Sequence, residues 1–289
     1  VVVRHGRLVW AGPEIDSLHP VWSCTKSFAG IVTGLLHDDG VIDYETRLAE
    51  FVPAYEEHYP DLKVKHVLSL TDGFGGHEKR RPFTPKPPLF EPGTHFHYAP
   101  GLNALSRALT VAADEELAEL FRRRIAEPLG MRRWLWGDIG IMDEHPVNAF
   151  GGKPTAAVQI SAREMARVGL LLLNTGNWDG QQLLSAEWID TATQPQAGVE
   201  TPLHDPEAWY RGIHGAYGYL FWINGVRPDG ERLWPHAPAD TFAIQGNRNN
   251  ICWIIPEWDM VVVRLGTDKI VDRDTYDGFF QYLSMAVAD

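Results

Sequence analysis

The sequence predicts an α+β fold: an antiparallel sheet built from both chain termini, flanked by helices, with a mostly helical lobe inserted between them. Three observations predict it. Apolar residues recur with a period near two at both ends of the chain, and between about residues 23 and 200 the period becomes that of a helix. The 289 residues, 44% of them hydrophobic, also suffice for one large core. The expectation is a single domain over residues 1–289, with a sheet lobe of about 1–22 plus 215–289 and a helical lobe of about 23–214.

Taken in order, residues 1 to 12 read as a β-hairpin in which "VVVRHG" turns at Gly6 into "RLVWAG". The first helix starts near Ser23, carries Phe28, Ile31, Val32, Leu35 and Leu36 as one apolar stripe, and ends at Gly40. Further core helices are predicted around Leu102, Leu105 and Leu109, around Leu117, Leu120, Phe121 and Ile125, and around Met165, Val168 and Leu172. The last of these opens with a Ser161-x-x-Glu164 capping box. The segments "AYGYLFWI", "TFAIQ", "NICWIIP" and "DMVVVRLG" read as consecutive antiparallel strands separated by turns such as "RPDGE" and "PEWD". A closing helix places Tyr276, Phe279, Phe280, Leu283 and Val287 on one face. The Pro-rich "KRRPFTPKPPLFEPG" reads as a stiff loop over a cleft rather than a linker.

Composition excludes several function classes. With 26 basic against 38 acidic side chains the formal charge is −12, and no basic stripe is available to displace counterions from a nucleic acid. The one basic run, "FRRRIAEPLGMRR", reads as a solvated helix face. No stretch approaches the roughly 20 apolar residues of a bilayer span. Two cysteines, Cys24 and Cys252, make no disulfide framework and read as buried thiols, with a single bridge left open. The start "VVVRHGRLVWAG" has neither an initiator Met nor a signal-type apolar core, so the chain is expected to begin inside a longer precursor. Periplasmic, secreted and cytoplasmic locations all stay open, as does the oligomeric state.

The segment "HPVWSCTKSFAGIVTGLLHDDG" carries the chemistry. Unpaired N–H groups and the positive end of the helix dipole favour an anion beside Ser23. Lys26, three residues on, shares its helix face, and burial would lower its pKa toward the neutral form a base needs. In "FEPGTHFHYAPGLNALSRAL", Tyr98 follows a Pro-Gly turn and precedes a helix, where a phenol near Lys26 can relay a proton to a leaving group. His95 and His97 alternate in an extended segment and can share a face, but no further ligand pair lies at a recognisable spacing. They are read as shaping the pocket, and neither a metal nor another cofactor is expected.

The chain resembles the serine β-lactamase and penicillin-binding-protein superfamily, in its class C and esterase-like branch. "WSCTKSFAGIVTGLLHDDGVI" looks like the nucleophile helix, "VKHVLSLTDG" like the helix and turn after it, and "PGTHFHYAPG" like the Tyr-containing second motif. "RIAEPLGM", "ISAREMARVGLLLLNTGNWDGQQLLSAEW" and "GNRNNICWIIPEWDMVVVRLG" resemble later landmarks in the right order. The resemblance implies Ser23 as acyl-forming nucleophile, Lys26 as its base and Tyr98 as proton shuttle. It also implies an oxyanion hole from the backbone N–H groups of Ser23 and Asn250. Spacing between Gly246 and Pro256 puts the third motif at Asn247, Arg248 and Asn249, which with Pro100 are the expected substrate-binding positions.

Two departures bear on specificity. Pro100 stands where the family's second motif usually has an Asn that binds the substrate carbonyl, and proline offers neither a side-chain donor nor an N–H. "NRN" replaces a motif that commonly begins with Lys or His and ends with Gly, although Arg248 can bind a carboxylate if it points into the cleft. The leading expectation is a hydrolase that opens a small ester or amide through an acyl-Ser23 intermediate. A β-lactamase or D-alanyl-D-alanine peptidase, and a catalytically silent binding module of the same fold, are the alternatives. The aromatics Trp209, Tyr210, Tyr217 and Trp222 suggest an apolar or flat substrate, or equally a core.

Overall fold

The computed structural model describes residues 1–75, 86–98, 101–151, 155–267 and 271–287. Strands β1 (Val2–Arg4) and β2 (Arg7–Trp10) form the N-terminal hairpin, which turns through His5 and Gly6, both left-handed at φ 49° and 68°. This is the pairing of positive φ values that a two-residue hairpin turn requires.

After the short strand β3 (His19–Pro20), a 3-10 turn over Trp22–Cys24 runs directly into helix α1 (Thr25–Asp38). The predicted stripe is buried, but so is nearly every other side chain from Thr25 to Leu36. A Cβ on Gly34 would lie 2.5 Å from the Trp188 ring, so the small residues of this helix admit neighbours on its remaining faces. Gly40, at φ 71°, closes the helix with its N–H on the His37 carbonyl.

The middle of the chain contributes α2 (Val64–Leu68), α3 (Leu102–Ala113) and α4 (Leu117–Phe121), the last continuing into a wide turn over Arg122–Ala126. The arginines of that turn lie near the surface and pair with acids: Arg122 with Glu119 and Glu127, Arg123 with Glu115, Arg124 with Asp39. Strands β4 (Trp134–Trp136), β5 (Asp138–Met142), β6 (His145–Asn148) and β7 (Val158–Ile160) interrupt the expected mostly helical middle. They form a β3-β7-β4 sheet and a β5-β6 hairpin. Runs of three to five residues are too short to show a period of two beside helical flanks.

Helix α5 (Ala162–Leu173) is capped by Ser161, whose Oγ accepts from the Glu164 N–H at 3.3 Å. The Glu164 carboxylate does not close the box; it binds the Arg132 N–H and the Arg167 guanidinium instead. The strands β8 (Asn177–Trp178) and β9 (Gln181–Gln182) and helix α6 (Ala186–Ala192) follow.

The remaining strands, β10 (Trp222–Ile223), β11 (Phe242–Gly246), β12 (Asn250–Ile255) and β13 (Met260–Arg264), complete a six-stranded antiparallel sheet in the order β10-β11-β12-β13-β1-β2. The sheet is therefore assembled from both termini. The expected strand "AYGYLFWI" shrinks to Trp222–Ile223. Leu220 is left-handed at φ 64°, its N–H bonds the Leu68 carbonyl, and its own carbonyl accepts from the Ser27 hydroxyl at 2.7 Å. Contacts to α1 and α2 thus override the local period.

Helix α5 covers the sheet face that carries Cys252 and Val261, and helix α7 (Arg273–Val287) covers the face that carries Trp253, with the Phe280 ring 5.2 Å from it. Among the described residues, no helix is long and apolar enough to cross a membrane.

Candidate active site

Trp22 is left-handed at φ 46°, a costly conformation for an aromatic residue, and it turns the chain sharply between buried Val21 and α1. The turn leaves Ser23 half-buried at the head of the helix while Cys24 points into the core. Both cysteines are free and buried; the Cys24 thiol lies 3.4 Å from the Asn250 carbonyl.

Lys26 comes back over Ser23 with Nζ 2.8 Å from Oγ. It is only 3% exposed, and burial lowers its pKa to about 7, with the Cys24 thiol opposing that shift more weakly. Near neutrality a large share of the amine is therefore unprotonated and able to accept the Ser23 proton.

Tyr98 is brought to the same point by a segment fixed on both sides. Gly93, at φ 89°, donates to the Thr71 carbonyl at 2.7 Å, His97 to the Leu70 carbonyl at 2.8 Å, and Phe96 to the Pro202 carbonyl at 2.8 Å. The Tyr98 ring centroid lies 4.7 Å from Lys26 Nζ, and its hydroxyl engages both Ser23 and Tyr217. Burial pushes the Tyr98 phenol well above the usual tyrosine range, so it carries a proton at neutral pH.

Beneath this segment, buried Asp72 accepts from the Phe74 N–H at 2.8 Å and underlies Gly101, the residue at the start of α3. Burial raises its carboxyl to about 7.

Strand β11 closes the other side. A Cβ on Gly246 would lie 2.2 Å from the Val21 carbonyl, 2.8 Å from the Cys24 nitrogen and 3.0 Å from the Ser23 nitrogen. Only a glycine lets the strand end approach the Ser23 peptide this closely. Gly246→Ala is accordingly expected to cost about 1–3 kcal/mol of stability, as overpacking does, and to lower turnover in the folded fraction. Denaturant melts run beside ester assays separate the two effects.

The third-motif positions are placed differently from one another. Asn247 and Arg248 are exposed on the turn, with the Arg248 guanidinium 5.7 Å from the Trp22 ring centroid and its Nη1 on the Thr267 carbonyl. Asn249, expected at a substrate-binding position, is buried, and its Oδ1 accepts from Tyr276 and Val271. The Asn250 backbone N–H, expected as a second oxyanion donor, lies 3.4 Å from the Asn247 carbonyl within the hairpin. Arg248 and Asn249 are left-handed (both φ 59°), which folds the motif back into the β11-β12 turn. Pro100 lies outside the described residues.

Around Tyr98 stand Trp209, Tyr210, Tyr217 and Trp222, with ring centroids 4.9 to 6.3 Å away. The last three are buried and form a wall, whereas Trp209 is 69% exposed at the mouth. His97 lies against His204, their rings tilted with centroids 4.9 Å apart, and His95 lies against Phe90. Among the described residues no group of three or more potential metal ligands gathers. Gly246 and the hydroxyl of Tyr217 are the site features that sequence reasoning missed. The glycine before the assigned motif was a visible signal, but nothing local marks Tyr217.

A model of the beta-lactamase family matches residues 1–279. A 6-aminohexanoate-dimer hydrolase of Paenarthrobacter ureafaciens is 24% identical over 270 residues, which is 81% of this chain and 67% of that relative. A family VIII carboxylesterase superposes with a TM-score of 0.69 at 20% identity, over 93% of this chain and 84% of its own. A penicillin-binding protein homologue from Caulobacter crescentus gives a TM-score of 0.68 at 20% identity, over 97% and 86%.

Proposed function

We propose a function from one premise: the chain belongs to the beta-lactamase family. It is a serine hydrolase that opens a small ester or amide through an acyl-Ser23 intermediate. The observation that carries this reading is the 2.8 Å approach of a buried lysine, its pKa lowered to about 7, to a serine hydroxyl held on a strained turn.

In the mechanism, neutral Lys26 Nζ takes the proton from Ser23 Oγ as the oxygen bonds to the substrate carbonyl carbon. The oxyanion is received by the Ser23 N–H and by the N–H of Asn247, the first residue beyond the Gly246 contact, with the helix dipole adding to both. Tyr98, kept protonated by burial, donates to the leaving oxygen or nitrogen and is reprotonated from Lys26. Water then attacks the acyl-enzyme, Lys26 and Tyr98 passing its proton the other way.

Esters rank ahead of amides and β-lactams because Pro100 supplies no amide to orient an acyl-amide substrate. A loss of that kind typically costs on the order of 10²-fold in rate. A panel of p-nitrophenyl esters of rising chain length, beside nitrocefin and a linear amide, tests this. Ester turnover well above both others is expected, whereas nitrocefin hydrolysed as fast as the best ester would move the β-lactamase reading to first place.

Trp209 offers its exposed ring beside Tyr98, where a flat or apolar substrate group would rest. Trp209→Ala is expected to raise KM for p-nitrophenyl esters roughly 3- to 10-fold, the size of one aromatic contact, with kcat little changed. Steady-state kinetics on the purified variant check it.

A further inference from the structure

We propose that Asn250, Asn249 and Tyr276 are positioning residues that hold the Asn247–Asn249 turn against Ser23 and so tie the hydrolytic site to the C-terminal helix. The inference rests on the reading of Ser23 as nucleophile. It begins from a conformational problem: Arg248 and Asn249 are consecutive left-handed residues (both φ 59°), and neither is glycine. Such a turn persists only where its surroundings over-determine it.

Here all three carbonyls of the turn are taken by side chains. Asn250 Nδ2 donates to the Asn247 carbonyl at 2.8 Å, and Arg264 Nη1 donates to the carbonyls of Arg248 at 2.8 Å and Asn249 at 3.2 Å. The buried Asn250 amide also pairs reciprocally with Gly266, donating to its carbonyl at 3.1 Å and accepting from its N–H at 3.0 Å. Asn249 Oδ1 accepts from the Tyr276 hydroxyl at 3.1 Å and from the Val271 N–H at 3.0 Å. Three separate parts of the chain thus grip one turn: the end of β13, the segment at Val271, and α7.

The turn begins where Gly246 presses on the Ser23 peptide, so a rotation of its peptide planes would move the Asn247 N–H relative to the Ser23 N–H. Donors to a developing oxyanion act through such placement, and a small displacement weakens the transition state more than the ground state. A residue that only stabilised the fold would change the melting temperature and leave kcat of the folded enzyme alone.

Tyr276→Phe tests this most cleanly, since it removes the hydroxyl and keeps the ring that packs edge-on to Trp253 at 5.3 Å. Asn250→Ala is the more severe companion. For Tyr276→Phe we expect kcat on p-nitrophenyl acetate to fall about 5- to 10-fold with KM within about twofold. Amide hydrogen exchange across residues 245–251 is expected to quicken, while exchange in α1 stays as in the parent. Unchanged kcat, or a change confined to KM, overturns the inference while leaving the hydrolase reading intact. A parent protein that turns over neither an ester nor an amide overturns the hydrolase reading, and the exchange arm then decides alone: unchanged protection of 245–251 in Tyr276→Phe overturns the tie to α7.

Discussion

Replacing Ser23 with alanine is expected to lower turnover of activated esters and covalent labelling by a fluorophosphonate, each by roughly 10⁴-fold or more, while the protein stays folded. The size of the effect follows from the proposed role of Ser23 as the acyl acceptor. The Ser23 hydroxyl is the atom that Lys26 Nζ reaches at 2.8 Å and that Tyr98 also engages. Stability changes little because the hydroxyl caps no helix: neither the 3-10 turn nor α1 has a side-chain cap. The loss of one hydrogen bond amounts to about 1 kcal/mol. Near-parental circular dichroism and melting with no labelling is the expected pair of results, and retained turnover in a folded variant would remove Ser23 from the mechanism.

Lys26 carries the second large effect. Lys26→Arg should be nearly as damaging as Lys26→Met, each lowering kcat/KM by about 10²- to 10⁴-fold, because a guanidinium stays protonated and cannot accept the serine proton. In the parent the base must be neutral, so kcat/KM is expected to rise with pH up to a plateau, with its midpoint near the value of about 7 set by burial. The same shift bears on stability. The folded pKa lies below that of the unfolded chain, so between about 7 and about 10 the unfolded state binds more protons and stability rises with pH. Lys26→Met removes that slope and should melt higher than the parent at pH 7. A parental rate for Lys26→Arg would show that the residue supplies only charge.

Much of the site was legible because it is encoded locally. Ser23 and Lys26 lie three residues apart on one continuous run, the 3-10 turn leading directly into α1, so their meeting is set locally. Tyr98 is marked by the Pro-Gly turn before it and the helix after it. The fold class was legible from the change of period along the chain, since the long elements α1, α3, α5, β12 and β13 repeat their patterns enough times to be read.

What could not be read depends on contacts between distant segments. Leu220 is pulled out of its strand by bonds to Leu68 and Ser27. Tyr217 joins Tyr98 across more than a hundred residues. The Asn247–Asn249 turn hid its role because two non-glycine residues adopt left-handed backbone there, held by Arg264, Asn250 and Tyr276. Counting along a strand could not anticipate that fold-back.

The acyl-enzyme itself is the most direct measurement. The protein is mixed with a p-nitrophenyl ester at low pH, where protonated Lys26 is a poor base and deacylation slows, then quenched and mapped by peptide mass spectrometry. The account predicts a single adduct of the acyl group's mass, on Ser23. An adduct on any other residue, or turnover that proceeds with Ser23 unmodified throughout, would contradict it.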